Sequence, residues 1–197
     1  MKWASCVSTQ ETIEACVEEA VASVTQQLAG READLTVIFV SPHFRTQYRA
    51  IPQLLRDRMP IGILLGCSGG GIIGGGKEIE QQPAFSLTAA HLPGVDLKTI
   101  QSDTMNLPDP DTAPSVWHEW LGVDPATNPN FIVLADPFSF RAEEFLAGMD
   151  FAYSRSAKVG GLASGAQAQG GNALYLDDKI HNGGLIGVAL SGNIQLD

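Results

Sequence analysis

Residues 66–76 read Gly-Cys-Ser-Gly-Gly-Gly-Ile-Ile-Gly-Gly-Gly, with seven glycines in eleven positions. Ordered glycine costs more conformational entropy than any other residue. Such density therefore marks backbone that needs positive φ or is closely approached by another group. An apolar run, Ile61 to Leu65, leads in, and Lys77-Glu78-Ile79-Glu80 leads out towards a second run at Ala84 to Ala90. Two compatible readings follow. One is a bulged, tightly packed hairpin. The other is a floor of backbone N–H groups facing a bound ligand.

The rest of the chain alternates strands and helices. Trp3 to Ser8 predicts a strand, and Ser8 with Glu11 fits a capping box. Ile13, Cys16, Val17, Ala20, Val21, Val24 and Leu28 recur at helical spacing, closed by Gly30. Leu35 to Val40 predicts a buried strand, and Thr46 to Met59 a helix that Pro52 starts or kinks. Pro83 to His91 and Val95 to Ile100 predict strands, the latter at a sheet edge, and Ser102 to Pro114 a loop. Ser115 to Leu121 predicts a helix, Phe131 to Ala135 a buried strand, and Ala142 to Tyr153 a helix with Ser139 as its N-cap. Lys158 to Leu162 predicts a strand. Ala173 to Leu176 and Leu185 to Leu190 read as a strand pair, with a turn at His181 to Gly184. Ile194 to Asp197 ends the chain.

Two stretches match at a nearly constant offset. Val37 to Pro42 parallels Ile132 to Pro137 at an offset of 95, and Ser68-Gly69 parallels Ser164-Gly165 at 96. Matching proline and Ser-Gly landmarks in one register point to an internal duplication. The expected organisation is one domain over 1–197, with pseudo-repeats at about 35–100 and 131–197 after an N-terminal strand-helix. The expected fold is α/β with mixed sheets. Two sheets packed together with helices outside is the first arrangement, and one mixed sheet between helix layers the second.

Composition narrows the function. The net charge is −10 with no basic stripe, which argues against nucleic acid and anionic membranes. No signal peptide or membrane-length apolar run is present, so a soluble, cytoplasmic chain is expected. The three cysteines, Cys6, Cys16 and Cys67, lack disulfide spacing. The four histidines, His43, His91, His118 and His181, lack metal-ligand spacing. Asp103, Asp109 and Asp111 do not have the spacing of a calcium loop. Gly66-Cys67-Ser68-Gly69-Gly70 matches G-x-S-x-G, which makes a Ser68-dependent hydrolase the third and least favoured reading, because a hydrolase elbow needs a helix after the serine and the following glycines oppose one. No Walker loop or dinucleotide fingerprint is present. The catalytic, metal and cofactor sets are therefore expected to be empty.

What remains is a pocket of backbone donors and strand-end polar groups suited to a small polar guest. The expected ligand-binding residues are Gly66, Cys67, Ser68, Gly69, Gly70, Ser41, Asp136, Gly161, Ser164 and Gly165. Arg45, Arg49 and Arg141 follow the two strand breaks and offer pairing to an anion.

Five landmarks in order resemble the N-terminal FIST domain. They are Gly66 to Gly74, Glu78-Ile79-Glu80, Ala135 to Ser139, Gly160 to Gly165, and Gly187 to Gly192. The resemblance spans Trp3 to the chain end. It implies a sensory input domain for small ligands, amino acids among them, in bacterial signal transduction. It also implies a neighbouring C-terminal FIST domain or signalling output domain as partner. The family's presence in F-box proteins gives the alternative, a protein-interaction module.

Overall fold

The structure, a computed structural model, describes residues 1–103 and 106–195. Part of the expected Ser102 to Pro114 loop and of the expected terminal segment Ile194 to Asp197 lies outside these residues. Along the chain run β1 (Lys2–Ser8), α1 (Ile13–Leu28), β2 (Ala33–Val40), a 3-10 helix (Pro42–Ala50), α2 (Ile51–Arg56), β3 (Ile61–Ser68), β4 (Gly71–Gly74), β5 (Lys77–Glu80) and β6 (Phe85–His91). Then follow β7 (Val95–Ser102), α3 (Pro114–Leu121), β8 (Asn130–Ala135), α4 (Ala142–Ala152), β9 (Lys158–Leu162), β10 (Leu174–Leu176), β11 (Lys179–His181) and β12 (Leu185–Gly192). The fold is α/β with mixed sheets and no closed barrel.

Two compact units are present: Met1–Pro93 with Ala163–Asn182, and Gly94–Leu162 with Gly183–Asp197. The first unit therefore draws Ala163–Asn182 from the stretch expected as the second pseudo-repeat.

The first unit holds a six-stranded sheet in the order β1-β6-β2-β3-β10-β11. Only β2 and β3 pair in parallel; β1, β6, β10 and β11 pair antiparallel. The seven apolar positions of α1 named from the sequence are all buried, beside Ile38, Val40, Phe85, Leu87 and Tyr175. Burying such a stripe is what stabilises an amphipathic helix in water. The helix is capped by Thr12, whose hydroxyl accepts from the Ala15 N–H at 3.3 Å, and not by Ser8. Ser8 lies at the end of β1 and donates to Glu19. At the other end Ala29 is the left-handed cap residue, and Gly30 follows with a φ of +80°. The helix expected over Thr46 to Met59 is a 3-10 segment followed by α2, with Pro52 at the start of the α-helical part. Within the glycine stretch, Gly66 to Ser68 end β3, and Gly71 to Gly76 give β4 and the turn of the β4–β5 hairpin.

The second unit holds a four-stranded sheet in the order β7-β12-β8-β9. β8 and β9 are parallel, and β7 and β12 run antiparallel to their neighbours. Trp117, Leu121, Phe131, Phe145, Met149 and Tyr153 form its core. Gly148 lets α4 meet the Trp117 ring, because a Cβ there would stand 1.9 Å from it.

The expected pairing of Ala173 to Leu176 with Leu185 to Leu190 is overturned. β10 pairs with β11 and β3, and β12 pairs with β7 and β8. His181 ends β11 and is not part of a hairpin turn joining that pair. Alternation identifies a strand, but partner choice depends on long-range packing that alternation does not encode. Ser139 does not cap α4, whose N-cap residue is Arg141.

Candidate functional site

The parallel pair β2–β3 sets the site. Parallel strands end together, and their carboxyl ends open where the chain leaves the sheet. Here β2 ends at Val40 and β3 at Ser68, which are register partners. Gly66 lies opposite Ile38, and a Cβ there would stand 2.2 Å from the Ile38 carbonyl oxygen.

Around Ser68 the polar groups are satisfied by the protein itself. Ser68 N donates to Ala173 O at 2.9 Å, and Gly69 N to Val40 O at 3.0 Å. The Ser68 hydroxyl donates to Asn172 Oδ1 at 3.1 Å and accepts from Ala173 N at 3.0 Å. Asn172 Nδ2 donates to Ala163 O at 3.2 Å. Ser164 N donates to Ser68 O at 3.2 Å, and Gly70 N donates to Ser164 Oγ at 3.0 Å. Gly165 is required beside Ser68, where a Cβ would come within 2.6 Å of the serine Cβ. The two Ser-Gly corners thus touch, and Ser68 is fully buried. Ser41 is tied the same way: its hydroxyl accepts from Ala84 N at 2.9 Å.

These bonds decide the chemistry of the corner. Ser68 is followed by β4 rather than a helix, so the hydrolase elbow is absent. Cys67 is buried, and burial pushes its thiol up to about 12, far from a thiolate nucleophile at neutral pH. Among the described residues no three His, Cys, Asp or Glu side chains gather as metal ligands.

Eight of the ten expected site residues, Ser41, Gly66 to Gly70, Ser164 and Gly165, belong to the first unit. Asp136 and Gly161 belong to the second. There Asp136 is buried and accepts from the Ser139 hydroxyl at 2.6 Å. Gly161 sits in β9, at the edge of its sheet.

Beside the first-unit corner lies a polar bay of about 400 Å³, lined by Arg45, Tyr48, Arg49, Gly171, Asp178 and Asn182, among others. Gly171 is adjacent in sequence to Asn172, which holds Ser68. The 3-10 helix after β2 carries both arginines and Tyr48. Neither arginine has a carboxylate within ion-pair distance among the described residues, whereas Asp178 is paired with Arg56. Asn182 donates to Asn172 O at 3.0 Å, tying the bay to the corner. Tyr48 donates to Ser41 O at 3.3 Å, and burial pushes its phenol up to about 12. Behind it Tyr175 packs edge-on with ring centroids 6.3 Å apart. The Tyr175 hydroxyl is buried with no hydrogen-bond partner. From the sequence, Arg45 and Arg49 were legible as anion candidates because they follow a strand break. Gly171 and Asn182 read only as turn residues, which gave no pointer to the bay.

Comparison with known proteins places the chain. It is 26% identical over 186 residues to the uncharacterized protein Rv0628c of Mycobacterium tuberculosis, covering 94% of this chain and 47% of that protein. It is 25% identical over 174 residues to the uncharacterized protein Mb0898c of Mycobacterium bovis, covering 88% of this chain and 43% of that one. The chain spans about half the length of the curated relatives it matches. No helix among the described residues is long and apolar enough to cross a membrane. The FIST N domain matches residues 34–197, and the chain belongs to that family.

Proposed function

We propose that the first unit binds a small anionic metabolite in the arginine-lined bay, without transforming it, as the input step of a signalling protein. FIST N domains are a family of sensory and signalling domains. The observation that carries the proposal is the pair of guanidinium groups on one wall of a polar bay, with no carboxylate paired to either among the described residues. Arginine binds carboxylates and phosphates in bidentate fashion. The Ser68–Asn172 corner acts as a rigid support, since its donors and acceptors are already spent on one another. Ser41, Gly66 to Gly70, Ser164 and Gly165 then belong to that support and do not line the bay themselves. The longer relatives supply room for an output domain that reads the occupied state.

A thermal-shift panel of amino acids and small carboxylates tests this. A binder present at 100 times its dissociation constant stabilises the fold by about 2.7 kcal/mol. That gain is expected to vanish in Arg45→Ala/Arg49→Ala. A panel with no stabilising compound, or a gain that survives in the double variant, would overturn the proposal.

A further inference from the structure

We infer that the open edge of β9 is a docking site for an extended, apolar, lysine- or arginine-bearing strand of a partner protein. The two sheets share one arrangement, β1-β6-β2-β3 in the first unit and β7-β12-β8-β9 in the second. In the first, the far edge of β3 is covered: β10 pairs antiparallel with Leu65, Gly66 and Cys67. In the second, β9 occupies the place of β3 and ends its sheet. Gly160 opposite Val133 stands where Gly66 stands opposite Ile38. The stretch equivalent to the β10 site is therefore Val159 to Gly161.

An uncovered edge is a template for strand addition unless charge, proline or a bulge protects it. β9 has no proline, and its one charge is turned away: Lys158 Nζ donates to Asp150 Oδ1 and Tyr153 O, each at 2.8 Å. Val159 and Leu162 are 47% and 52% exposed. Between β9 and α4 runs an apolar groove of about 290 Å³, walled by Phe145, Leu146, Val159 and Leu162. Side chains of an added strand have a place to enter there.

Charge selects the partner. The second unit carries eleven Asp and Glu against four Lys and Arg, and Glu143 stands exposed on the groove. Such a field favours basic partners and opposes a second copy of itself.

The probe is a synthetic nonapeptide with alternating leucine and threonine between terminal lysines, titrated into the intact chain and followed by backbone amide spectra and hydrogen exchange. Binding with new amide protection within 158–162 is expected. Gly161→Lys is the blocking variant, because nothing lies within 4 Å of a Cβ at Gly161 and the fold has room for it. It is expected to weaken binding about tenfold, or about 1.4 kcal/mol. N-methylation of alternate peptide amides, which removes strand hydrogen bonds, is expected to do the same. Four results would overturn the inference: no binding at millimolar peptide, unchanged binding after N-methylation or in Gly161→Lys, equal binding of a glutamate-ended peptide, or self-pairing of the chain through β9.

Discussion

The two units solve one joint with different side chains. In the first, Ser41 follows β2, its N–H donates to Ala84 O at 2.9 Å, and its hydroxyl accepts directly from Ala84 N. In the second, Asp136 follows β8 and its N–H donates to Gly184 O at 2.9 Å. The return bond is relayed: Gly184 N donates to Ser139 Oγ, whose hydroxyl donates to Asp136. Buried backbone groups must find partners, so the joint persists while the side chain that serves it changes. Two units of one strand order with a shared joint are what the proposed duplication would leave. They differ at the far edge: β3 is covered by β10, whereas among the described residues no strand pairs with the outer edge of β9.

The largest expected effect breaks what the units share. Gly66→Ala would drive a Cβ to 2.2 Å from Ile38 O, and Gly160→Ala to 1.7 Å from Val133 O. Gly160 also has a φ of +150°. Each variant should lose about 3 kcal/mol or more in urea unfolding. A loss under about 1 kcal/mol in either would show that the equivalent positions do not constrain the sheets alike.

Alkaline pH should separate the units. Burial raises Cys67 from an ordinary 9.0 to about 12 and Tyr48 from 10.0 to about 12, and it also raises Tyr175. In the second unit Tyr153 rises to about 12. These groups are neutral when folded, so their contribution is complete below their unfolded values and is lost as pH climbs through the folded ones. The urea midpoint should fall between about pH 9 and about pH 12. Tyr153→Phe should leave most of that fall in place, because three of the four groups lie in the first unit.

The joints and corners come next. Ser68→Ala removes a buried hydroxyl that makes two hydrogen bonds and strands Ala173 N, at a cost of about 2–3 kcal/mol. Ser139→Ala cuts the more exposed relay of the second unit and should cost about 1 kcal/mol. Equal losses would erase the distinction between a packed corner and a relayed joint.

How much of this was legible in the sequence depends on range. The α1 stripe was fully readable, because helical periodicity is local and every apolar position in it is buried. The paired Ser-Gly corners were readable as landmarks, and they meet in the first unit. Local rules misled where two candidates competed. The Ser8–Glu11 spacing satisfied a capping pattern, but Thr12 stands next to the first helical residue and caps instead. Residues brought together by topology left no trace. β10 is three residues long, and its partner β3 lies more than a hundred positions earlier. Arg45 and Asn182 line one bay from the two separate stretches of sequence that make up the first unit.

The smallest stability effect belongs to the bay. Arg45→Ala and Arg49→Ala should each change stability by no more than about 0.5 kcal/mol, since both side chains are exposed and neither is ion-paired among the described residues. Their role is tested by arginine side-chain nitrogen spectra of the full chain, titrated with the same amino acids and carboxylates. Saturable movement of the Arg45 and Arg49 guanidinium signals is the expected result, with no movement at Arg58, which lies outside the bay lining. Signals that stay fixed throughout, or a bound compound that moves other residues and leaves these two untouched, would contradict an anion-holding bay.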